Sequence, residues 1–238
     1  MAALLLQSAM AAIIKVLSGG AMRRALTDAA ALFERATGDK ADIRFALTSV
    51  LVKDVEQGAD FDVAILPRPE LDGLATSGKI AAGSRADIAR SAVGLAVRAG
   101  APKPDISTAD TFRRTLLQAR SIAYSDGPSG LYIAGVLERL GILDDMKPKT
   151  KLVPNGGPVA ELVARGEAEF GLQQIVAILP VQGVELAGPL PRELQNIIVY
   201  AAGLSGAAAD SSPGLAFLTF LRTEEVARII RASGMEPG

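Results

Sequence analysis

The chain has 238 residues, of which 49% are hydrophobic, a formal net charge of −1, and neither cysteine nor histidine. These features exclude disulfides, thiolate chemistry, acid/base catalysis by histidine, Ser-His-Asp triads and metal sites built on His or Cys. With a net charge this close to zero, the chain lacks the excess of Lys and Arg that is typical of a nucleic-acid-binding protein. Its length is sufficient for one large domain or two small ones.

Residues 1–12 form a short apolar segment that ends in small residues, MAALLLQSAMAA. It is similar to the back half of a secretory signal without the basic front, so we interpret it as a truncated or misassigned signal. The alternative is an apolar first turn packed on the body. The segment is too short to span a membrane and no later stretch is a good candidate, so no membrane insertion is expected.

The first motif is a strand over residues 13–17, a break at Ser18-Gly19-Gly20, and an amphipathic helix over 22–36 that Gly38 ends. The first N–H groups of such a helix have no internal partner, and its dipole end is positive. Small residues at the turn let a ligand approach the backbone. The motif is suited to hold an anion, although a plain strand-to-helix connection is the alternative.

The next hundred residues continue the alternation of strands and helices. The pattern predicts strands over 42–46, 61–66 and 91–98, and helices over 50–57, 71–77 and 108–118. Thr48 or Ser49 can cap the helix at 50–57, and Thr108 can cap the one that follows it. This alternation indicates a parallel sheet.

The second half repeats the pattern. It predicts strands over 121–124, 151–154, 170–174, 184–186 and 197–201, and helices over 131–140, 159–165, 212–220 and 226–233. Loops of small residues lie between strand and helix at 17–21, 47–49, 125–130 and 155–158. Ligands of open α/β sheets lie beyond the carboxyl ends of the strands, so these four loops are expected to surround a small ligand with backbone donors and hydroxyls.

Five segments in this order resemble the periplasmic substrate-binding proteins of ABC transporters, in particular their molybdate-binding branch. The segments are GGAMRRAL, FALTSVLVKDVEQGADFDVAIL, YSDGPSGLYIAGVLERLGILD, LVPNGGPVAELVARGEAEFGL and FLTFLRTEEVARIIRASGMEP. The resemblance implies a two-lobed type II periplasmic-binding-protein fold of the α/β class. Each lobe would be a mainly parallel sheet flanked by helices, with the ligand cleft between the lobes. Lobe 1 would comprise residues 1–90 and 198–238, lobe 2 residues 91–197.

The resemblance also implies ligand-binding positions. In that family the oxyanion is held without a counter-charge, by serine hydroxyls, main-chain N–H groups and one tyrosine. The corresponding positions here are Ala21, with Ser18 and Gly20 nearby, Thr48 or Ser49, Ser129, Gly156 and Gln174. Ala21 replaces a serine and Gln174 replaces the tyrosine, so the set is incomplete for molybdate. These departures favour another anion, such as an organic carboxylate.

Each candidate has a structural alternative. Thr48 and Ser49 can be helix caps only, Ser129 can belong to an ordinary turn, and the amides of Gln173 and Gln174 can form a satisfied network between the lobes. Arg23 and Arg24 lie at a helix start, where the dipole disfavours cations. A nearby anion would relieve this, and a solvated face is the alternative. Because arginine pairs bidentately with carboxylates, Arg23 joins the ligand set and favours an organic acid.

These observations predict a solute-binding protein that captures a small anion, an oxyanion or an organic carboxylate, for ABC-type uptake. It would be a periplasmic monomer that needs no cofactor or metal, works with an ABC permease and binds no nucleic acid. The alternative is a cofactor-free isomerase of a small tricarboxylate, similar to aconitate isomerase, with Asp126, Tyr124 or Ser18 as the base. A third class is the ligand-sensing domain of a regulator. The lack of a DNA-binding segment in the sequence counts against a stand-alone regulator.

Overall fold

The computed structural model describes residues 11–154, 157–207 and 212–238. Most of the segment interpreted as a signal remnant lies outside the described residues. The chain divides into two compact units. Unit 1 comprises the residues up to Ala89, then Val199–Ile230 and Pro237–Gly238, and unit 2 comprises Arg90–Ile198 and Arg231–Glu236.

Strands and helices alternate along most of the described chain. The strands are β1 Ile13–Gly19, β2 Lys40–Ala46, β3 Val63–Pro67, β4 Ala86–Ser91, β5 Val93–Arg98, β6 Ile122–Ser125, β7 Thr150–Val153, β8 Phe170–Gln174, β9 Val184–Pro189, β10 Ile198–Leu204 and β11 Glu236–Pro237. The helices are α1 Arg23–Thr37, α2 Thr48–Glu56, α3 Arg68–Thr76, α4 Ala109–Gln118, α5 Pro128–Arg139, α6 Leu143–Met146, α7 Val159–Ala164, α8 Ile175–Ile178, α9 Ser212–Phe220 and α10 Glu224–Ala232.

Unit 1 is built on a six-stranded sheet in the order β11-β4-β10-β3-β1-β2. Strand β1 is parallel to β2 and β3, and β10 runs antiparallel to β3. Phe33 of α1 packs edge-to-face on Phe217 and Phe220 of α9, with ring centroids 5.1 and 5.3 Å apart. Because β1, β2 and β3 point the same way, the loops after them lie at one edge of this sheet.

Unit 2 is built on a five-stranded sheet in the order β7-β6-β8-β5-β9. Strand β6 is parallel to β7 and β8, whereas β5 is antiparallel to β8 and β9. The side-chain amide of Gln195 extends the ladder at the start of β5. It accepts a hydrogen bond from the Val93 N–H and donates one to the Val93 carbonyl, both at 2.9 Å.

The predicted α/β class, with two sheets flanked by helices, is confirmed. Gly38 ends α1 with φ +82°, as glycine in the left-handed region does at many helix ends. Thr108 caps α4 and forms a reciprocal capping box with Thr111. Each described helix falls short of the length and apolar character that crossing a membrane requires.

The structure differs from the predicted local features in two places. The strand predicted over 91–98 is present as β5 but begins two residues later, and the separate strand β4 before it was not predicted. Asp87 and Arg90 interrupt the apolar residues of β4, so its sequence lacks a clear strand pattern. The capping of α2 by Thr48 or Ser49 is wrong, since Leu47 holds the N-cap position in extended geometry and no side chain caps the helix.

Candidate ligand-binding loops

The first loop of unit 1 follows β1. Ser18 pairs in register with Phe45 of β2, and its buried hydroxyl donates to the Gly19 carbonyl at 3.3 Å. A single turn of 3₁₀ helix, Gly20–Met22, then leads into α1. Gly20 is exposed, and a Cβ built there would meet no atom within 4 Å. The turn therefore leaves its backbone open to an approaching group.

The second loop lies against the first. A Cβ built on Gly19 would lie 3.5 Å from the Thr48 Oγ1 atom, so the Thr48 hydroxyl borders the glycine turn. Thr48 is half-buried and Ser49 is exposed, and neither hydroxyl caps α2. The Val50 N–H donates to the Leu47 carbonyl at 3.0 Å, so the uncapped N–H groups at this helix start are those of Thr48 and Ser49.

Arg23 lies at the same edge of the sheet. Its Cζ atom is 4.3 Å from the centroid of the Phe45 ring, within the range of a cation–π interaction. Ser18 faces Phe45 across β1 and β2, so this guanidinium lies beside the first loop. Sequence reasoning did not select Phe45. The available signal was an aromatic residue near the carboxyl end of the strand that follows the helix with Arg23. The register between β1 and β2, which places Phe45 opposite Ser18, was unknown.

The third loop, in unit 2, follows β6. The Asp126 N–H donates to the Val153 carbonyl of β7 at 3.0 Å, and Gly127 holds the N-cap position of α5. A Cβ built on Gly130 would lie 1.5 Å from the Ser125 carbonyl oxygen. Only glycine fits this approach of the helix to the strand end. The predicted ligand residue Ser129, which is half-buried, is held in this turn.

The fourth loop follows β7, and the predicted ligand residue Gly156 lies outside the described residues. Beyond it, the Ala160 N–H in the first turn of α7 donates to Gln173 Oε1 at 3.3 Å. The Gln173 amide oxygen is thus used within unit 2. Gln174 ends β8, half-buried and opposite Val93 in register, and β8 runs parallel to β6. Gln174 and Ser125 therefore lie at the same edge of the sheet.

The structure groups the predicted site residues by unit. Unit 1 brings Ser18, Gly20, Ala21, Thr48 and Arg23 to the ends of β1 and β2, with Ser49 next to Thr48. Unit 2 has Ser129 and Gln174 after two parallel strands.

The three residues proposed as a base differ in environment. Burial raises the pKa of the Tyr124 phenol, which disfavours the phenolate that a base requires. The Ser18 hydroxyl is buried, whereas Asp126 is exposed at the start of the third loop. Of the three, Asp126 is the one that combines a carboxyl group with access from solvent.

Comparison with known proteins gives a consistent result. Residues 14–236 match the family model described as bacterial extracellular solute-binding protein. Aconitate isomerase from a Pseudomonas species is 34% identical over 230 residues, which are 94% of this chain and 87% of that protein. The molybdate-binding protein ModA of Escherichia coli strain K12 is 24% identical over 226 residues, or 93% of this chain and 88% of that protein.

The fold agrees with these matches. The periplasmic molybdate-binding protein of Azotobacter vinelandii aligns with a TM-score of 0.73 at 22% sequence identity, over 93% of this chain and 98% of that one. The family model spans both units from β1 to β11. The chain therefore belongs to the bacterial extracellular solute-binding protein family.

Proposed function

We propose that this protein captures a small anion and delivers it, as a periplasmic monomer, to an ABC-type permease. The observation that carries the proposal is the loop edge of unit 1. There the Thr48 hydroxyl borders the glycine turn, and the Arg23 guanidinium lies over Phe45 at the end of the neighbouring strand. Membership of an extracellular solute-binding family supports capture rather than regulation.

The physical basis is the start of two helices at neighbouring strand ends. Helices α1 and α2 begin just after β1 and β2, which are paired along seven residues. Helix starts present unpaired N–H groups and a positive dipole end, and both favour an anion. Neither helix start has a side-chain cap, but the Arg23 N–H donates to the Gly20 carbonyl and the Val50 N–H to the Leu47 carbonyl. The donors proposed for a ligand are therefore the N–H groups that precede these two, in residues 20–22 and 48–49. That the ligand binds in a cleft between the two lobes stays a prediction from the resemblance.

The donors that are present support a proposal about the class of ligand. Molybdate-binding relatives support an oxyanion. Ala21 offers a methyl group where the resemblance implies a serine hydroxyl, and Gln174 stands in place of a tyrosine. The same edge carries an arginine, which pairs bidentately with a planar carboxylate. We therefore expect organic carboxylates to bind more tightly than molybdate.

A thermal-shift screen tests the proposal. The panel contains molybdate, tungstate, sulfate and phosphate beside citrate, cis-aconitate and trans-aconitate. A ligand at a hundred times its dissociation constant adds about 2.7 kcal/mol to the free energy of unfolding. That corresponds to a shift of about 5–10 °C for a chain of this size. If no anion of the panel shifts the melting temperature, anion capture is wrong.

A second candidate function is isomerisation of aconitate. The observation that favours it is the identity of 34% with aconitate isomerase, which exceeds the 24% with ModA over nearly the same residues. The reaction removes a proton from the methylene carbon beside the double bond and returns one to the far end of the allylic system. It needs a base but no redox cofactor, and the exposed carboxyl group of the third loop belongs to Asp126.

Proton NMR separates the two functions. Purified protein is incubated with trans-aconitate, and the vinyl resonances of the two isomers are followed. Conversion in the wild type that is lost in Asp126→Asn, with trans-aconitate binding retained, supports the isomerase. Binding without conversion leaves a carboxylate-binding protein. Glu138→Gln, on the exposed far end of α5, is the matched control for removing one carboxylate from this region.

A further inference from the structure

Arg23 is an exposed cation that lies beside an aromatic ring. Its guanidinium lies over the Phe45 ring, with 4.3 Å between Cζ and the ring centroid. An exposed cation–π contact of this kind contributes about 0.5–1 kcal/mol. Phe45 therefore favours one place for the Arg23 guanidinium, at the end of β2, before any ligand binds.

The charge of Arg23 is not balanced by a carboxylate of the described part of the chain. None of the ion pairs between described residues includes Arg23 or its neighbour Arg24. The first turn of α1 contains no acidic residue, and cations there are opposed by the helix dipole. A cation held at an unfavourable place, without a counter-ion, indicates a role that an external anion completes.

We infer that Arg23, held by Phe45, selects for a ligand that carries a carboxylate, and that it binds one carboxylate of an organic polyacid with its in-plane donors. The inference rests on the proposed function, because it concerns the anion that the loop edge of unit 1 captures. It differs from the neutral oxyanion binding that the resemblance implies, since here a formal positive charge meets the ligand. Thr48 and the open backbone at Gly20 lie nearby for a second polar group.

The identity of the relatives supports the carboxylate over other anions. Arginine pairs bidentately with phosphate as well as with carboxylate. The relative with 34% identity is named for aconitate, a tricarboxylate, whereas the molybdate-binding relatives have 24% and 26% identity. Carboxylate is therefore the class to which the inference commits, and phosphate is an arm of the test.

The test is isothermal titration calorimetry of four variants with citrate, cis-aconitate, trans-aconitate, phosphate and molybdate. Arg23→Gln removes the charge, and Arg23→Lys keeps the charge but loses the paired N–H donors of the guanidinium. Phe45→Leu removes the aromatic ring that the guanidinium contacts. Arg24→Gln is the matched control, because Arg24 is the next residue, also exposed, and has no ring contact in the described structure.

We expect Arg23→Gln to weaken binding of the tightest carboxylate by about 10- to 100-fold, the range for hydrogen bonds to charged groups. Arg23→Lys and Phe45→Leu are expected to give smaller losses, and Arg24→Gln less than a twofold change. The melting temperature of ligand-free Arg23→Gln should stay close to that of the wild type, because the lost cation–π contact with Phe45 and the removal of a cation from a helix start are of similar size and opposite sign. A purely structural role would lower it.

Three outcomes overturn the inference. Equal affinities of Arg23→Gln and Arg24→Gln would show that Arg23 does not contact the ligand. Binding of molybdate or phosphate alone would refute the carboxylate class and leave anion capture intact. Binding of no anion in the panel would refute anion capture and this inference together.

Discussion

The substitution Gly130→Ala tests whether the third loop is as tightly built as the structure indicates. The new Cβ atom would lie 1.5 Å from the Ser125 carbonyl oxygen and 2.5 Å from the Ser125 carbonyl carbon. Real Cβ contacts essentially never fall below 3.0 Å, and the obstacle is backbone at the end of β6. The start of α5 must therefore move away from the strand, and Ser129 moves with it.

Two opposing terms set the magnitude. Alanine within a helix is more favourable than glycine by about 0.5–1 kcal/mol. Overpacking a closely fitted site costs about 1–3 kcal/mol, and a backbone obstacle places Gly130 at the upper end of that range. We expect a net loss of about 2 kcal/mol in the free energy of unfolding. For a chain of this size that lowers the melting temperature by about 4–8 °C.

Gly135→Ala is the matched control, because Gly135 lies in the same helix and a Cβ there would meet no atom within 4 Å. It should gain about 0.5–1 kcal/mol from helix propensity alone. Differential scanning calorimetry of both variants and the wild type measures the contrast. If Gly130→Ala melts at or above the wild type, or Gly135→Ala falls as far as Gly130→Ala, the argument from close approach is refuted.

Three further substitutions probe other parts of the fold. Ser91→Ala should raise the free energy of unfolding by about 1 kcal/mol, because the buried Ser91 hydroxyl has no hydrogen-bond partner within the described structure; a lower melting temperature would contradict this. Gln195→Glu should lose about 1–3 kcal/mol at pH 7, since a carboxylate cannot donate to the Val93 carbonyl. The pKa of the introduced carboxyl group should be higher in the folded than in the unfolded state. Urea denaturation at several pH values should therefore show the loss in free energy of unfolding shrinking as the pH falls through that pKa, and a loss that does not depend on pH would count against this reasoning. Phe33→Leu should lose about 2–3 kcal/mol through the two edge-to-face contacts with α9, and a loss below about 1 kcal/mol in urea denaturation would show that these contacts contribute little.

The elements with strong local signals were predictable from the sequence. Strand β8, Phe170–Gln174, has the predicted bounds, because its apolar run starts after a charged stretch and ends at two amides. Helix α9 begins at Ser212 with proline next to it, as predicted. In both places the chain next to the element carries the signal, so no tertiary information was needed.

Features that depend on partners distant in sequence were not predictable. The Arg23–Phe45 contact requires the register of β1 and β2, which strand patterns do not encode. The pairing of Gln195 with Val93 joins residues 102 positions apart. Strand β4 was not predicted because Asp87 and Arg90 interrupt its apolar residues, and its place is set by pairing within the six-stranded sheet.

Strand β10 also determines when unit 1 can be completed during synthesis. It lies inside the six-stranded sheet, between β3 and β4, whereas the five strands of the other sheet all fall between Val93 and Pro189. The ribosome adds about 5–20 residues per second, so β3 waits about 7–26 s between the emergence of Pro67 and that of Ile198. The half of the protein that is made first is therefore finished last. Throughout that interval the edge of β3 that later pairs with β10 stays unpaired, and a chaperone can cover it.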